Sequence, residues 1–310
     1  MDTGTAGSCM LLVQVALPCL MCAPARSGVT TLTLRGGTDV PMAPPVDYMR
    51  WVFLPTLRHA WQVQNVLMDV DIEVVKRGFY PKGQGIVKLV VKALSPVGCH
   101  SASVPPIRLT DRGKLDEIKV FVFTAGRVKD SVGERMASAA EATLKSRSTT
   151  ATGTATAPTI TIVRKHEPPE AAFGDGCGIV IVASTSNNLL FGSSALGERG
   201  VGAETVGQRA ADDLADVVFD CPGACVDDCM MDQLIIFMAL AQGESEVVGR
   251  VPSLHTHTAV AVAEQLTDCK FEITRCTDDG DELWKVKCRG AGIVVGGSGD
   301  GSGGGGMKNA

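Results

Sequence analysis

Aromatic residues are scarce in this 310-residue chain, where nine Phe, three Trp and two Tyr make up 5%. Its core must therefore be aliphatic, and a hydrophobic content of 45% is enough for a sizeable one in a chain long enough for two domains. Positive charge is also short. A net charge of −5 and a pI near 5.6 argue against a non-specific nucleic-acid coat, which needs a broad basic face, but not against one local basic pocket. An uninterrupted apolar run of membrane-spanning length, about 20 residues, is missing as well. The nearest approach, residues 9–23 (CMLLVQVALPCLMCA), has only Asp2 and no basic residue ahead of it, and carries Gln14 and Pro18 inside. It reads as a buried helix, broken or kinked near Pro18, and not as a secretory signal or a span; no membrane partner is expected.

Two familiar site patterns are missing too. No stretch follows the phosphate-binding pattern G-x-x-x-x-G-K-[ST]. The glycine clusters Gly36-Gly37-Thr38, Gly83-Gln84-Gly85 and Gly174-Asp175-Gly176-Cys177-Gly178 are expected to be turns, the last preceding a strand where a dinucleotide loop would follow one. The eleven cysteines are an odd number, scattered without a secreted framework, which suits reduced thiols of a cytosolic or nuclear protein. Cys221, Cys225 and Cys229 would share a helix face, but Pro222 and Gly223 break that helix and zinc knuckles favour a shorter step, so no metal is expected there.

What is present alternates between strand and helix patterns. Residues 30–35, 70–77 and 85–93 read as strands, and residues 46–58 as a helix with Asp47 a candidate cap. After Pro105-Pro106 come a strand at 118–123, an alanine-rich helix at 130–145, and a small polar run at 146–158 expected to be a flexible connector. Strands at 159–163, 179–183 and 188–191 and a helix at 203–218 complete a βαβββα unit. A helix at 227–241, a strand at 246–249, a helix from about Thr258 to Leu266 and strands at 270–275 and 283–288 close the chain, ahead of a Gly/Ser tail at 296–306 expected to be disordered. The last unit resembles the first in its element types, which suggests an α+β fold of repeated units with another module inserted between them.

Candidate chemistry is confined to few places. Two histidines meet only in Ser253-Leu254-His255-Thr256-His257-Thr258, just ahead of the helix expected near Thr258. A helix N-terminus gathers unpaired N–H groups suited to phosphate, and an imidazole beside it could attack phosphorus. The pattern leaves open that Thr256 and Thr258 merely cap the helix and the histidines are polar surface. Asp232-Gln233 interrupts an otherwise apolar helix, so this turn either faces a polar site or caps a neighbour.

These fragments occur in a known order. From Asp2 to about Gly292 the chain resembles the RNA 3′-terminal phosphate cyclase family, its eukaryotic branch most closely. The resemblance rests on residues 2–8 (DTGTAGS), 35–39 (RGGTD) running into 42–48 (MAPPVDY), 77–83 (RGFYPKG), 192–200 (GSSALGERG), Asp232-Gln233-Leu234 and 254–258 (LHTHT). It implies an enzyme that uses ATP to convert an RNA 3′-phosphate to a 2′,3′-cyclic phosphate. A histidine attacks the α-phosphate to give a covalent histidine–AMP, AMP passes to the RNA 3′-phosphate, and the 2′-hydroxyl closes the ring. A divalent metal, Mg or Mn, would assist. By motif position His255 matches the nucleophile, and Gln14, Pro44, Asp232 and Gln233 match nucleotide-binding positions. Cys229 stands where a tyrosine usually lies against the adenine, a loss expected to weaken nucleotide binding by roughly 1 kcal/mol. ATP and RNA 3′-phosphate ends are the implied partners, and the nucleus the implied location.

The resemblance also implies a fold. Repeated units of a four-stranded sheet with two helices would make a large domain, over residues 1–111 and 225–292, with a thioredoxin-like βαβββα module inserted at 112–224 and a tail at 293–310. The first repeat is expected to be largely missing, through an incomplete gene model or a misplaced start codon, the alternative being a naturally shortened protein. With it would go the glycine-rich opening motif, its acidic metal-binding residue and the arginines that grip the RNA phosphate. The alternatives are a non-catalytic cyclase-like protein of ribosome biogenesis, a branch that lacks the nucleophile, and an inactive fragment.

Overall fold

The computed structural model describes residues 1–22, 29–64, 66–92, 95–96, 102–152, 157–278 and 281–295. Helix α1 (Cys9–Cys22) buries Cys9, Met10, Val13, Leu17 and Met21, a stripe at helical spacing. It runs as one helix through Pro18, where a break was one of the two expectations. Strand β1 (Val29–Gly36) turns Leu32 and Leu34 inward and Thr31 and Thr33 toward solvent. Helix α2 follows as three continuous segments, Val46–Tyr48, Met49–Phe53 with π-type bonding, and Leu54–Gln62. Strands β2 (Val70–Gly78) and β3 (Gly85–Lys92) pair antiparallel with each other, and β3 pairs antiparallel with β1.

The middle of the chain builds a second sheet. After the short β4 (Arg108–Leu109) come β5 (Leu115–Ala125), α3 (Asp130–Thr152), β6 (Thr159–Glu167), the two-residue β7 (Ala172–Phe173), β8 (Gly176–Thr185), β9 (Leu190–Leu196) and α4 (Ala203–Val218). The sheet order is β9-β8-β5-β6, with only β5 and β6 parallel. Helices α3 and α4 lie together. Gly207 of α4 makes this possible, since a Cβ there would sit 2.1 Å from the carbonyl oxygen of Met136 on α3. Helix α3 extends through residues 146–152, which were expected to be connector; the helix begun in the alanine-rich stretch carries on across these small polar residues. Residues 153–156 of that stretch, and the Gly/Ser tail at 296–306, lie outside the described residues.

The third sheet uses the end of the chain. Helix α5 (Asp228–Leu240), β10 (Glu244–Gly249), α6 (Leu254–Leu266), β11 (Lys270–Asp278) and β12 (Asp281–Arg289) follow in turn, with sheet order β11-β12-β10-β4. The first sheet is ordered β1-β3-β2-β7. The chain is thus an α+β protein in which αβαββ occurs twice, as α1-β1-α2-β2-β3 and as α5-β10-α6-β11-β12. One main hydrophobic cluster reaches into all three sheets, and it is mostly aliphatic. No helix among the described residues is long and apolar enough to cross a membrane.

A buried ion cluster joins the first sheet to the second. Arg77 at the end of β2 donates to Asp39 (3.1 and 3.2 Å), Asp47 (2.6 Å) and Glu167 of β6 (2.9 Å), and its guanidinium lies 4.1 Å from the Phe123 ring centre. Asp47 is therefore no helix cap: Pro45 occupies the cap position, and the Asp47 carboxylate is turned inward to Arg77. The glycine clusters mark close approaches. A Cβ on Gly83, where φ is +67°, would meet the Thr5 carbonyl at 2.3 Å, and one on Gly176 would strike the Phe79 ring at 2.6 Å.

Candidate functional site

Helix α5 begins at a buried carboxylate. Asp227 is its N-cap; Oδ1 accepts the Met230 amide at 2.8 Å and the Tyr48 hydroxyl at 2.7 Å, while Oδ2 accepts the Gly192 amide at 2.8 Å. One side chain so ties α5 to α2 and β9. Gly192 has to be glycine, since a Cβ there would press on the Tyr48 ring at 2.7 Å. Burial lifts the Asp227 carboxyl to about 6, although all three hydrogen bonds pull the other way.

Two turns of α5 then face a cleft of about 660 Å³. Cys229 lies on the first, with its thiol pushed well up by burial and so protonated and inert. Gln233 is 8% exposed and donates through Nε2 to the Cys229 carbonyl and sulfur, both at 3.1 Å. Its Oε1 is buried with no hydrogen-bond partner, an acceptor left for something the protein does not supply. Asp232 is half-buried, and its Oδ1 accepts the hydroxyls of Ser253, at 2.8 Å, and of Thr256.

Those bonds set the start of α6. Ser253 is the cap, accepting the Thr256 amide at 3.1 Å, so the helix begins at Leu254, one turn earlier than the expected start near Thr258. Thr256 is fully buried beneath the first turn, and neither it nor Thr258 caps the helix. His255, the second helical residue, is exposed and lines the cleft; His257 is exposed but is not among its described lining residues. Sequence reasoning left Asp232 undecided between facing a polar site and capping a neighbour. It does both, lining the cleft while holding the cap of α6.

Gln14 of α1 and Pro44, just ahead of α2, line the same cleft. His255, Gln14, Pro44, Cys229, Asp232 and Gln233 are thus brought together from four separate stretches of the chain, and none is left out. Sequence reasoning missed Tyr48, Asp227 and Ser253, whose roles lie in bonds to distant residues, and the charged wall. That wall comprises Asp213 and Asp216 of α4, Asp228 and Arg250. Burial lifts the Asp213 carboxyl, and Asp216 and Asp212 push the same way; burial also lifts Asp228, against the pull of Arg250 3.8 Å away. Among the described residues no three His, Cys, Asp or Glu side chains converge as a metal would need, and Cys221, Cys225 and Cys229 form no such group. Cys225 is buried, its thiol raised to about 12 mainly by burial.

Comparison with known proteins points to one family. A family model described as RNA 3′-terminal phosphate cyclase matches residues 1–273. The chain is 35% identical over 293 residues to a probable RNA 3′-terminal phosphate cyclase of Dictyostelium discoideum, covering 93% of this chain and 62% of that protein. It is 37% identical over 271 residues to the RNA 3′-terminal phosphate cyclase of Caldivirga maquilingensis, covering 87% and 70%. With that of Drosophila melanogaster it shares 33% over 295 residues, covering 94% and 73%. The chain therefore spans 62% to 73% of the length of these three relatives.

Proposed function

Because the chain belongs to the RNA 3′-terminal phosphate cyclase family, we propose that its cleft binds ATP and that His255 takes the AMP group in forming a 2′,3′-cyclic phosphate on RNA. The observation that carries this reading is the convergence of His255 with Gln14, Pro44, Cys229, Asp232 and Gln233 on one cleft. Neutral imidazole is a competent nucleophile near neutral pH. The His255 side chain attacks the α-phosphorus of ATP, a P–N bond forms, and the P–O bond to pyrophosphate breaks. The RNA 3′-phosphate oxygen then displaces the histidine and carries AMP away. Attack by the neighbouring 2′-hydroxyl closes the ring and expels AMP, with its proton passing to solvent.

The local structure supports each residue's part. Placement in the first turn of α6 sets the His255 imidazole beside unpaired backbone N–H groups and the positive end of the helix, where negative charge gathers on phosphate. The orphaned Oε1 of Gln233 suits an N–H donor of the base. Cys229 offers a small thiol in place of a ring, so base stacking is weaker by roughly 1 kcal/mol. A divalent cation, Mg or Mn, would be carried mainly by the nucleotide phosphates, with Asp213, Asp216 or Asp228 as hard oxygen donors on the cleft wall; the like charge crowding Asp213 fits such a cation. When bound, it neutralises the departing pyrophosphate.

The repeat reading belongs to the same proposal. The recurrence of αβαββ supports two related units, at residues 1–111 and 225–292, with the βαβββα segment at 112–224 as a thioredoxin-like insert. For the chemistry, incubation with ATP labelled at the α-phosphate should give an acid-labile, hydroxylamine-sensitive adduct that His255→Ala abolishes and His257→Ala does not. An adduct that survives in His255→Ala overturns the assignment.

A further inference from the structure

We infer that Met42 is a ligand-contacting residue whose thioether closes the mouth of the cleft over the heterocycle of the bound nucleotide; this rests on the nucleotide reading above. Three observations meet at this residue. Met42 is 98% exposed, the most exposed large apolar side chain among the described residues. Its backbone has φ of +62°, in the left-handed region that a methionine occupies only at a cost. And it lines the cleft, two residues before Pro44.

The local sequence explains the conformation but not the choice of residue. Pro41 then Met42 follows the order in which a type II turn places proline before a residue of positive φ, and glycine or asparagine normally fills that second place. A methionine there gives up backbone comfort and hides no surface from water, so the fold gains nothing from it. Strain held at a cleft mouth points to use by a ligand. The chemistry favours the base over the phosphates. A thioether is soft, uncharged and polarisable, packs well on an aromatic ring, and offers nothing to a phosphate oxygen. Leu11 of α1, 46% exposed, lines the same cleft and adds a second apolar side chain. With Cys229 supplying no ring from α5, Met42 gives the base an apolar contact from the opposite chain segment.

The test compares Met42→Gly, Met42→Asn and Met42→Leu with the parent chain. Glycine and asparagine both accept positive φ, and asparagine does so without adding a flexible residue. Both variants should melt higher than the parent, by about 2 °C. Both should bind ATP about three- to tenfold more weakly by calorimetry, a loss of the size a sulfur–ring contact confers. Met42→Leu should bind ATP within about twofold of the parent, since it keeps the apolar body. Inorganic triphosphate, which has no base, should bind all four proteins alike. Unchanged ATP affinity in the glycine and asparagine variants overturns the inference while the nucleotide reading stands. So does an equal loss for triphosphate. Failure of the parent chain to bind ATP at all would overturn both.

Discussion

Replacing Asp232 by alanine removes the acceptor on which the start of α6 is hung. Its Oδ1 holds the Ser253 hydroxyl at 2.8 Å and the Thr256 hydroxyl as well. Hydrogen bonds to a charged group contribute about 1.5–3 kcal/mol each, and a half-buried carboxylate sits at the low end, so Asp232→Ala should cost about 3 kcal/mol. Ser253→Ala loses the cap on the Thr256 amide, about 1 kcal/mol, together with the bond to Asp232, for about 2.5 kcal/mol in all. The Ser253–Asp232 bond is common to both changes and can be lost only once. The double variant should therefore be about 1.5 kcal/mol more stable than the two single losses imply. Urea denaturation of the four proteins measures this coupling directly. The same cap sets the position of His255, two residues on, so Ser253→Ala should slow formation of the labelled AMP adduct about tenfold, although Ser253 is not among the described residues that line the cleft. Losses that add within about 0.3 kcal/mol, or adduct formation at the parent rate in Ser253→Ala, would refute the link between cap and nucleophile.

Three further outcomes follow from the geometry. Arg77→Met removes the partner that three buried carboxylates share, leaving Glu167 only Lys165, and should destabilise the fold by about 4 kcal/mol in urea, with Arg77→Lys recovering little because one ammonium cannot serve three partners held by a fork; a loss under 1 kcal/mol would contradict this. Asp227 carries its carboxyl at about 6 in the fold against 3.8 for an ordinary aspartate, so the folded state holds the extra proton. The stability this contributes is complete below pH 4 and lost as pH rises through 6, and the parent should lose roughly 3 kcal/mol relative to Asp227→Asn over that window; parallel urea midpoints from pH 4 to 7 would exclude it. Gly207→Ala forces a methyl within 2.1 Å of the Met136 carbonyl oxygen and should cost about 2 kcal/mol by spreading α3 from α4, read as a lowered melting temperature.

Much of the architecture was legible because periodicity is a local signal. Alternation over residues 30–35 marks a strand that the structure extends by one residue at each end, the pattern at 85–93 marks one that runs from Gly85 to Lys92, and the stripe Ala210, Ala211, Leu214, Ala215, Val218 marks the buried face of α4. The misjudged boundaries have local causes too. Small polar residues at 146–152 read as linker, yet a helix already propagating through alanines continues across them at little cost. The start of α6 was set a turn late because the sequence pattern pointed to Thr256 and Thr258 as caps, whereas Ser253, held by the Asp232 carboxylate, takes that place.

What the sequence by itself determined is the inventory: an aliphatic α+β chain, the order of motifs that marks its family, and the residue types able to carry nucleotide chemistry. Only the tertiary structure decided how they are held. Tyr48 and Asp227 are 179 positions apart, and Arg77 and Glu167 are 90 apart. No periodicity links such residues, because a hydrogen bond between distant positions depends on the path of all the chain between them. Local patterns record which face of an element is apolar. They carry no record of which polar atom will meet another once those faces are buried.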